Sequence, residues 1–495
     1  MVSARMALVM LIVLAVAVAV VGARDTPKPV LKTENFDKDP GWEGHNNRLV
    51  PKAFPRVTQD FGYNRTNIAG KAPGEIGGSV QRANEAAYYA AKIGPKTLDD
   101  KLSASGTFAI PKTASNTGVF FGWFNRQQPG RTGRPVNSFG LDIGGEPKGA
   151  RLAVHLITAQ NQVKGRFITR YERYRTPEER AIKRPTPIKN DGTRYHWKLD
   201  YDPAANGGNG QFQFTINSGS GTPQEFEGKT VTVDLPAGFK QQGTSFDRFG
   251  MMNVTKEGSP MTIHFDDLEV DGRKENFAQD PGWVGVRNRE SYQATEVGGA
   301  QDFGFRTTRH AGGFAGEFGG IVWRAPYAYY ADRVGPFSLR ERLEARGRLF
   351  FEVAGLDTGL HIGWFDSRVK VVDDKTPNRG KDFIGVDIGG HTRLGHWFLP
   401  RCLTAEGGGS FSDQEPLLLQ AGTAYEWKFV YDPAANKGDG QMQVTLGDKS
   451  VTLDLKPGVK AQVKALDRFG VASVGTGGGP VKLYLDDLQY SASKP

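Results

Sequence analysis

The chain has 495 residues and a formal charge of +9, and that length exceeds what a single hydrophobic core sustains. Its 64 glycines, 28 prolines and 11% aromatic residues suit a turn-rich β protein and give no strong sign of disorder. One cysteine, Cys402, excludes an internal disulfide, so stability has to come from packed sheets, with or without a metal ion.

Residues 1–23 predict a secretory signal. Arg5 supplies the charged start, an apolar run extends from Ala7 to Val21, and Val21-Gly22-Ala23 gives small residues for cleavage. The run is at or below the roughly 18–20 residues that span a bilayer, which favours a cleaved signal over a retained anchor. The mature chain is therefore expected to be secreted, periplasmic or on the cell surface, without a stable membrane span.

Beyond the signal, period-two alternation dominates. Leu102, Ala104, Gly106, Phe108 and Ile110 alternate with polar neighbours, as do the residues of Tyr195 to Leu199. Gln211 to Ile216 follows the turn Asp202-Pro203-Ala204-Ala205-Asn206 and predicts a hairpin. Thr230 to Leu235 and Ile263 to Asp266 predict the later strands. Between Val163 and Arg194 lie ten Lys or Arg against four acids, a basic stretch that reads as an exposed insertion.

The same series then returns. Glu34-Asn35-Phe36 and Pro40-Gly41-Trp42 recur as Glu275-Asn276-Phe277 and Pro281-Gly282-Trp283, and Asn47-Arg48 as Asn288-Arg289. Asp142-Ile143-Gly144-Gly145 recurs at Asp387 to Gly390, Tyr201 to Asn206 at Tyr431 to Asn436, and Asp266-Asp267-Leu268 at Asp486 to Leu488. The offset shrinks from 241 at Trp42/Trp283 to 220 at Asp266/Asp486, so the first copy carries extra residues, in the basic stretch and in the loop Ser218–Glu227. A period this long is duplication of a whole domain. The repeat predicts an all-β chain of two tandem antiparallel β-sandwich (jelly-roll) domains, 32–271 with the basic insertion and 272–495.

An Asn-Phe opening strand, a Trp-x-x-x-Tyr-Asp-Pro-x-x-Asn hairpin and a closing Asp-Asp-Leu strand, present in both copies, resemble the concanavalin A-like lectin/glucanase jelly rolls, including laminin-G-like modules. The resemblance implies a curved sandwich whose concave face binds carbohydrate in many members and cleaves it in some. The acidic Glu-x-Asp-x-(x)-Glu strand of the superfamily's glucanases is not matched. Its nearest echo, Glu269-Val270-Asp271 with Glu275, has the wrong final spacing, and the second copy reads Gln489-Tyr490-Ser491 there.

Several residues are candidates for carbohydrate binding. Glu75/Glu317 and Asp142/Asp387 each adjoin a Gly-Gly pair, where a sugar can approach the backbone; alternatively they cap turns or pair with Arg82/Arg324. Tyr88 and Tyr329 begin Tyr-Tyr pairs that place one ring on each sheet face, one of them toward solvent or a cleft. Trp323 and Trp397, aligned with Gln81 and Leu152 in the first copy, are candidate stacking platforms. Asp266/Asp267 and Asp486/Asp487 could hold structural Ca²⁺ or simply protect a sheet edge. Arg170, Arg173, Arg175, Lys183 and Arg184 are candidate contacts to a polyanion such as an acidic polysaccharide; nucleic acid is not an expected partner. The leading expectation is a secreted, non-catalytic carbohydrate-binding protein. A glycoside hydrolase or polysaccharide lyase and a structural protein-interaction module are the alternatives.

Overall fold

The computed structural model describes residues 29–493 apart from 51–52, 128–132, 147, 170–186, 219–228, 296–297, 325, 356–357, 369–381, 393–394, 407–408, 413 and 475–477. The predicted signal and the candidates Arg170, Arg173, Arg175, Lys183 and Arg184 lie outside the described residues.

The alternating runs form four antiparallel sheets, two to a sandwich. In the first sandwich one sheet runs 229–234, 211–218, 194–202, 102–112, 260–270, 75–81, 56–64, 289–293, with 273–275 beside 260–270. The facing sheet runs 163–167, 149–157, 138–146, 118–124, 245–253, 88–97, 284–286. Among the described residues the second sandwich follows the same order, except that 302–306 is itself the edge strand and 417–419 adds beside 395–403. Each core fills the gap between its sheets: Phe121 from one stacks on Phe265 from the other, ring centres 3.8 Å apart. Among the described residues no helix is long and apolar enough to cross a membrane.

The sheets do not divide where the repeat does. The opening segment of the second repeat completes the first sandwich: Arg273–Glu275 pairs with Leu268–Val270, Val284–Val286 with Tyr88–Ala90, and Arg289–Gln293 with Arg56–Asp60. In return, the opening segment of the whole chain completes the second sandwich. Val30–Glu34 pairs with Leu488–Ala492, and Glu43–His45 with Tyr329–Ala331. The units are thus a contiguous one near 56–294 and a second assembled from both chain ends, in place of the cut at 271/272. The cause is local. Asp271 and Gly272 both take positive φ, 49° and 80°, the geometry of a two-residue Asp-Gly hairpin turn. Such a turn commits residues 273–275 to the strand just before them.

The two exchanged segments dock through several matching residues. Phe36 and Trp42 join the second core, and Phe277 and Trp283 pack against the first. Asn47 Nδ2 donates to the Phe303 carbonyl and Asn288 Nδ2 to that of Phe61, both at 2.6 Å. Arg48 and Arg289 reach the equivalent strands 302–306 and 56–64. Tyr330 and Tyr89 donate to Asp39 and Asp280 at 3.1 and 2.9 Å. Glu43 adds a lock unique to the second sandwich. The Tyr329 hydroxyl, then the guanidiniums of Arg333 and Arg468, hold its carboxyl down at about 2 against the opposing effect of burial. That contribution is complete above the ordinary carboxylate range and is lost as pH falls toward 2.

The basic stretch also needs redrawing. Val163–Phe167 is an edge strand on Ala153–Ile157, and Gly409–Phe411 occupies the equivalent edge on Arg401–Leu403. Lys164 and Arg166 therefore belong to the shared fold, where edge charges discourage further strand pairing.

Candidate functional site

Alternation assigns one residue in two on the seven-stranded sheet to the face turned away from the core. In the first sandwich this outward face carries Tyr88, Phe120, Phe124 and Met252, with Asp142 between Phe120 and Ala153 on the flanking strands. Asp142 forms an ion pair with Arg134, and His155 lies against Phe120 at 5.7 Å between ring centres. In the second sandwich Asp387 lies between His361 and Leu399. Arg401 Nη1 donates to it at 3.1 Å, and His361 Nε2 is 3.9 Å from its other oxygen. His361 stacks flat on Phe383 at 4.1 Å. Between these groups the strands approach too closely for side chains. A methyl group at Gly122 would come within 2.3 Å of the Phe139 carbonyl oxygen, and one at Gly363 within 2.4 Å of that of Ile384.

The carboxylates on these faces are sheltered, Asp142 at 1% exposure and Asp387 at 6%. Each Tyr pair puts one ring on each sheet face, Tyr88 and Tyr329 outward and Tyr89 and Tyr330 in the core, and all four rings are buried. Tyr88 meets Phe124 edge-on at 5.4 Å, and Tyr329 donates to Glu43 at 2.6 Å. Trp397 lies on the outward face with 9% exposure, its ring filling the space over Gly389. Strand register makes its counterpart Arg151, which lies over Gly144 in the same way, and not Leu152. Trp323 is half-buried, its backbone bonded at both N–H and C=O by the Gln301 side chain, so it ends a strand away from the outward face. Arg82 donates to Asn116 at 3.1 Å and Arg324 to the Val474 carbonyl at 3.2 Å.

Glu75 and Glu317 are loop anchors. Glu75 accepts from the Thr66 hydroxyl and the amides of Ile68 and Ala69; Glu317 accepts from Thr308, His310 and Ala311 in the same pattern. Burial alone would raise the Glu75 carboxyl, but the nearby His264 ring, Thr66 and the loop amides bring it down to about 2.

The aspartate pairs do not converge as cation ligands would. Asp266 is buried and accepts from the Asp267 amide at 2.7 Å, while Asp267 faces outward; Asp486 and Asp487 repeat this. Among the described residues no three acids, histidines or thiols gather around a common point. Burial, reinforced by the charges of Asp267 and Glu75, pushes the Asp266 carboxyl up to about 7, and Asp486 reaches about 6. The native state keeps these protons where the unfolded chain has lost them, so each acid lowers stability progressively from about pH 4 to its own folded pKa. Replacing both by Asn should raise the melting temperature at pH 8, with the gain fading by pH 4. A lowered melting temperature at pH 8, or one restored by calcium, would instead make them metal ligands.

One feature had no sequence signal. Beside the Asp-Gly turn, a cavity of about 530 Å³ opens between Ala91–Lys96, Leu268–Glu275 and Pro281–Val284, lined by Val270 and Trp283 above the buried Phe249. It exists because side chains are smaller there than in the other copy, a difference visible only after the copies are superposed strand by strand.

No protein-family model and no curated protein sequence matches the chain. Among solved structures it is similar to domains LG4-5 of the mouse laminin α1 chain, at 9% identity and a TM-score of 0.24, covering 90% of this chain and 99% of that one. It is also similar to the Emp47p carbohydrate recognition domain, at 14% identity and TM-score 0.25 over 38% of this chain and 89% of that one. A third is a double mutant of alginate lyase Aly36B in complex with an alginate tetrasaccharide, at 9% identity and TM-score 0.25 over 35% of this chain and 80% of that one.

Proposed function

We propose that the chain is a secreted, non-catalytic carbohydrate-binding protein whose glycan seat is the outward face of the second sandwich. The observation that carries this reading is the composition of that face. Tyr329, Phe383 and Trp397, all buried in this structure, line it with rings, while His361, Asp387 and Arg401 supply fixed polar groups above a floor of glycine. Rings that cover the apolar side of a sugar and a carboxylate that accepts its hydroxyls are the chemistry such a ligand requires. Hydrolysis by paired carboxylates is disfavoured, because the residues directly across from Asp387 are His361 and Leu399, and those across from Asp142 are Phe120 and Ala153. The first sandwich differs at the same positions, with Phe120 for His361 and His155 for Arg401, so its contribution is different; its residues 170–186 are assigned here to acidic polysaccharides.

A glycan array followed by calorimetry on the hits tests this. Asp387→Ala should weaken binding roughly 10- to 100-fold, the worth of a charge-assisted hydrogen bond. Removing residues 170–186 should lower affinity only for acidic glycans, and mostly at low salt. An Asp387→Ala protein that binds as before, or an array without hits, overturns the proposal. The lyase alternative rests on the His361–Asp387 pair, in which a carboxylate lies 3.9 Å from a ring nitrogen that can accept a proton. Unsaturated products from bound uronic polymers, lost on His361→Ala, would decide for it.

A further inference from the structure

The two sandwiches present the same seam in two states, one filled and one open. In the second, Tyr490 lies flat on Phe469 with ring centres 4.2 Å apart and meets Trp42 edge-on at 5.9 Å. Its hydroxyl donates to Asp332 at 2.6 Å, and Lys32 donates to the same carboxylate oxygen at 2.7 Å. Strand pairing fixes the counterparts. Tyr490 pairs with Lys32 and Ala345, and Val270 with Arg273 and Ala104. Asp332 pairs with Phe469, and Ala91 with Phe249. The first sandwich therefore keeps both rings, Phe249 buried and Trp283 half-buried, and the cation, Arg273, while the phenol and the carboxylate are reduced to Val270 and Ala91. The consequence is the cavity of about 530 Å³, and a Trp283 that is half-buried where Trp42 is buried.

We infer that this cavity is a binding site for a small aromatic carboxylate, a planar ring bearing an anionic group, which supplies in the first sandwich what Tyr490 and Asp332 supply in the second. The ring lies over Val270, which covers the buried Phe249, with its edge toward the half-buried Trp283. The carboxylate meets Arg273, whose planar fork suits two parallel hydrogen bonds better than the Lys32 ammonium it replaces. Lys92, Lys96 and Arg273 line the cavity against Asp271 and Glu275, a balance of three cations to two acids, with Lys96 3.8 Å from Asp271. The site is separate from the outward face of the second sandwich and stands or falls independently of the glycan reading.

The test uses the whole mature chain with 4-hydroxyphenylacetate as the probe and 4-methylphenol as its neutral analogue, by calorimetry and ligand-observed NMR. The expected result is saturable one-to-one binding of the acid. Ala91→Asp with Val270→Tyr transplants the plug of the second sandwich and should abolish binding without lowering the melting temperature. Arg273→Met should weaken the acid about tenfold while leaving 4-methylphenol within about twofold. Absence of saturable binding, or unchanged binding in the plugged variant, overturns the site. Should the plugged variant fail to fold, the split between acid and neutral probe in Arg273→Met decides, and equal losses for both overturn it.

Discussion

A protein lacking residues 30–48 should lose its second sandwich altogether while keeping the first. Phe36 and Trp42 belong to the second core, and burying a side chain such as Phe36 is worth about 1.5–3 kcal/mol before its neighbours relax. Truncating a buried Phe or Trp costs about 3–5 kcal/mol once the cavity is counted, and two together approach the 5–15 kcal/mol that holds a typical domain folded. The deletion also strips the strand Val30–Glu34 from Leu488–Ala492 and removes Glu43 from Arg333 and Arg468. Calorimetry should show one cooperative transition remaining, and residues 53–294 expressed alone should reproduce it. A fragment ending at Asp271 lacks Phe277 and Trp283 and should not fold. If that fragment melts like 53–294, the exchange contributes nothing to the first sandwich.

The second large effect is expected at the buried loop anchors. Glu75→Ala removes the acceptor of the Ile68 and Ala69 amides and the Thr66 hydroxyl. Hydrogen bonds to a charged group contribute about 1.5–3 kcal/mol each, and a buried donor left without an acceptor costs about 1–3 kcal/mol. The loss should exceed about 4 kcal/mol, confined to the first sandwich's transition, and Glu317→Ala should act equally on the second. Glycan affinity per folded molecule should stay unchanged. A variant of native stability with lost affinity would return these acids to a binding role. Acid should imitate the substitution, since a carboxyl depressed to about 2 gives up its stabilising effect only as pH falls from the ordinary carboxylate range toward 2.

The strands were legible in the sequence because period-two alternation has a direct physical cause, and every long alternating run became a strand. The partners of the opening segments were not. Asn35-Phe36 through Asn47-Arg48 and Asn276-Phe277 through Asn288-Arg289 offer the same groups, so local propensity fits either slot equally well. Only Asp271-Gly272 breaks the tie, and it is a hairpin signal that sequence alone contains. Glu75 and Glu317 were visible as paired acids, but what distinguishes an anchor from a ligand is the set of amides aimed at it, and those come from a loop without a pattern of its own. The cavity beside Trp283 was hidden for a related reason. It is defined by the absence of Tyr490 and Asp332 equivalents, and a small residue in an alternating strand carries no signal until the larger one across the pseudo-symmetry is seen.

Pairing of Val30–Glu34 with Leu488–Ala492 also sets a timetable for synthesis. The first sandwich is complete in the nascent chain once residue 293 has emerged, and it can fold while the rest is still being made. The second waits for the last strand, Pro480–Ala492, although its opening segment was made first. At roughly 5–20 residues per second, that segment stays without its mate for something on the order of a minute. Throughout the interval it carries the same docking residues as 273–293, whose slot in the first sandwich stands empty until those residues arrive. Order of emergence, and not affinity alone, therefore decides which of two interchangeable clasps closes which half of the molecule.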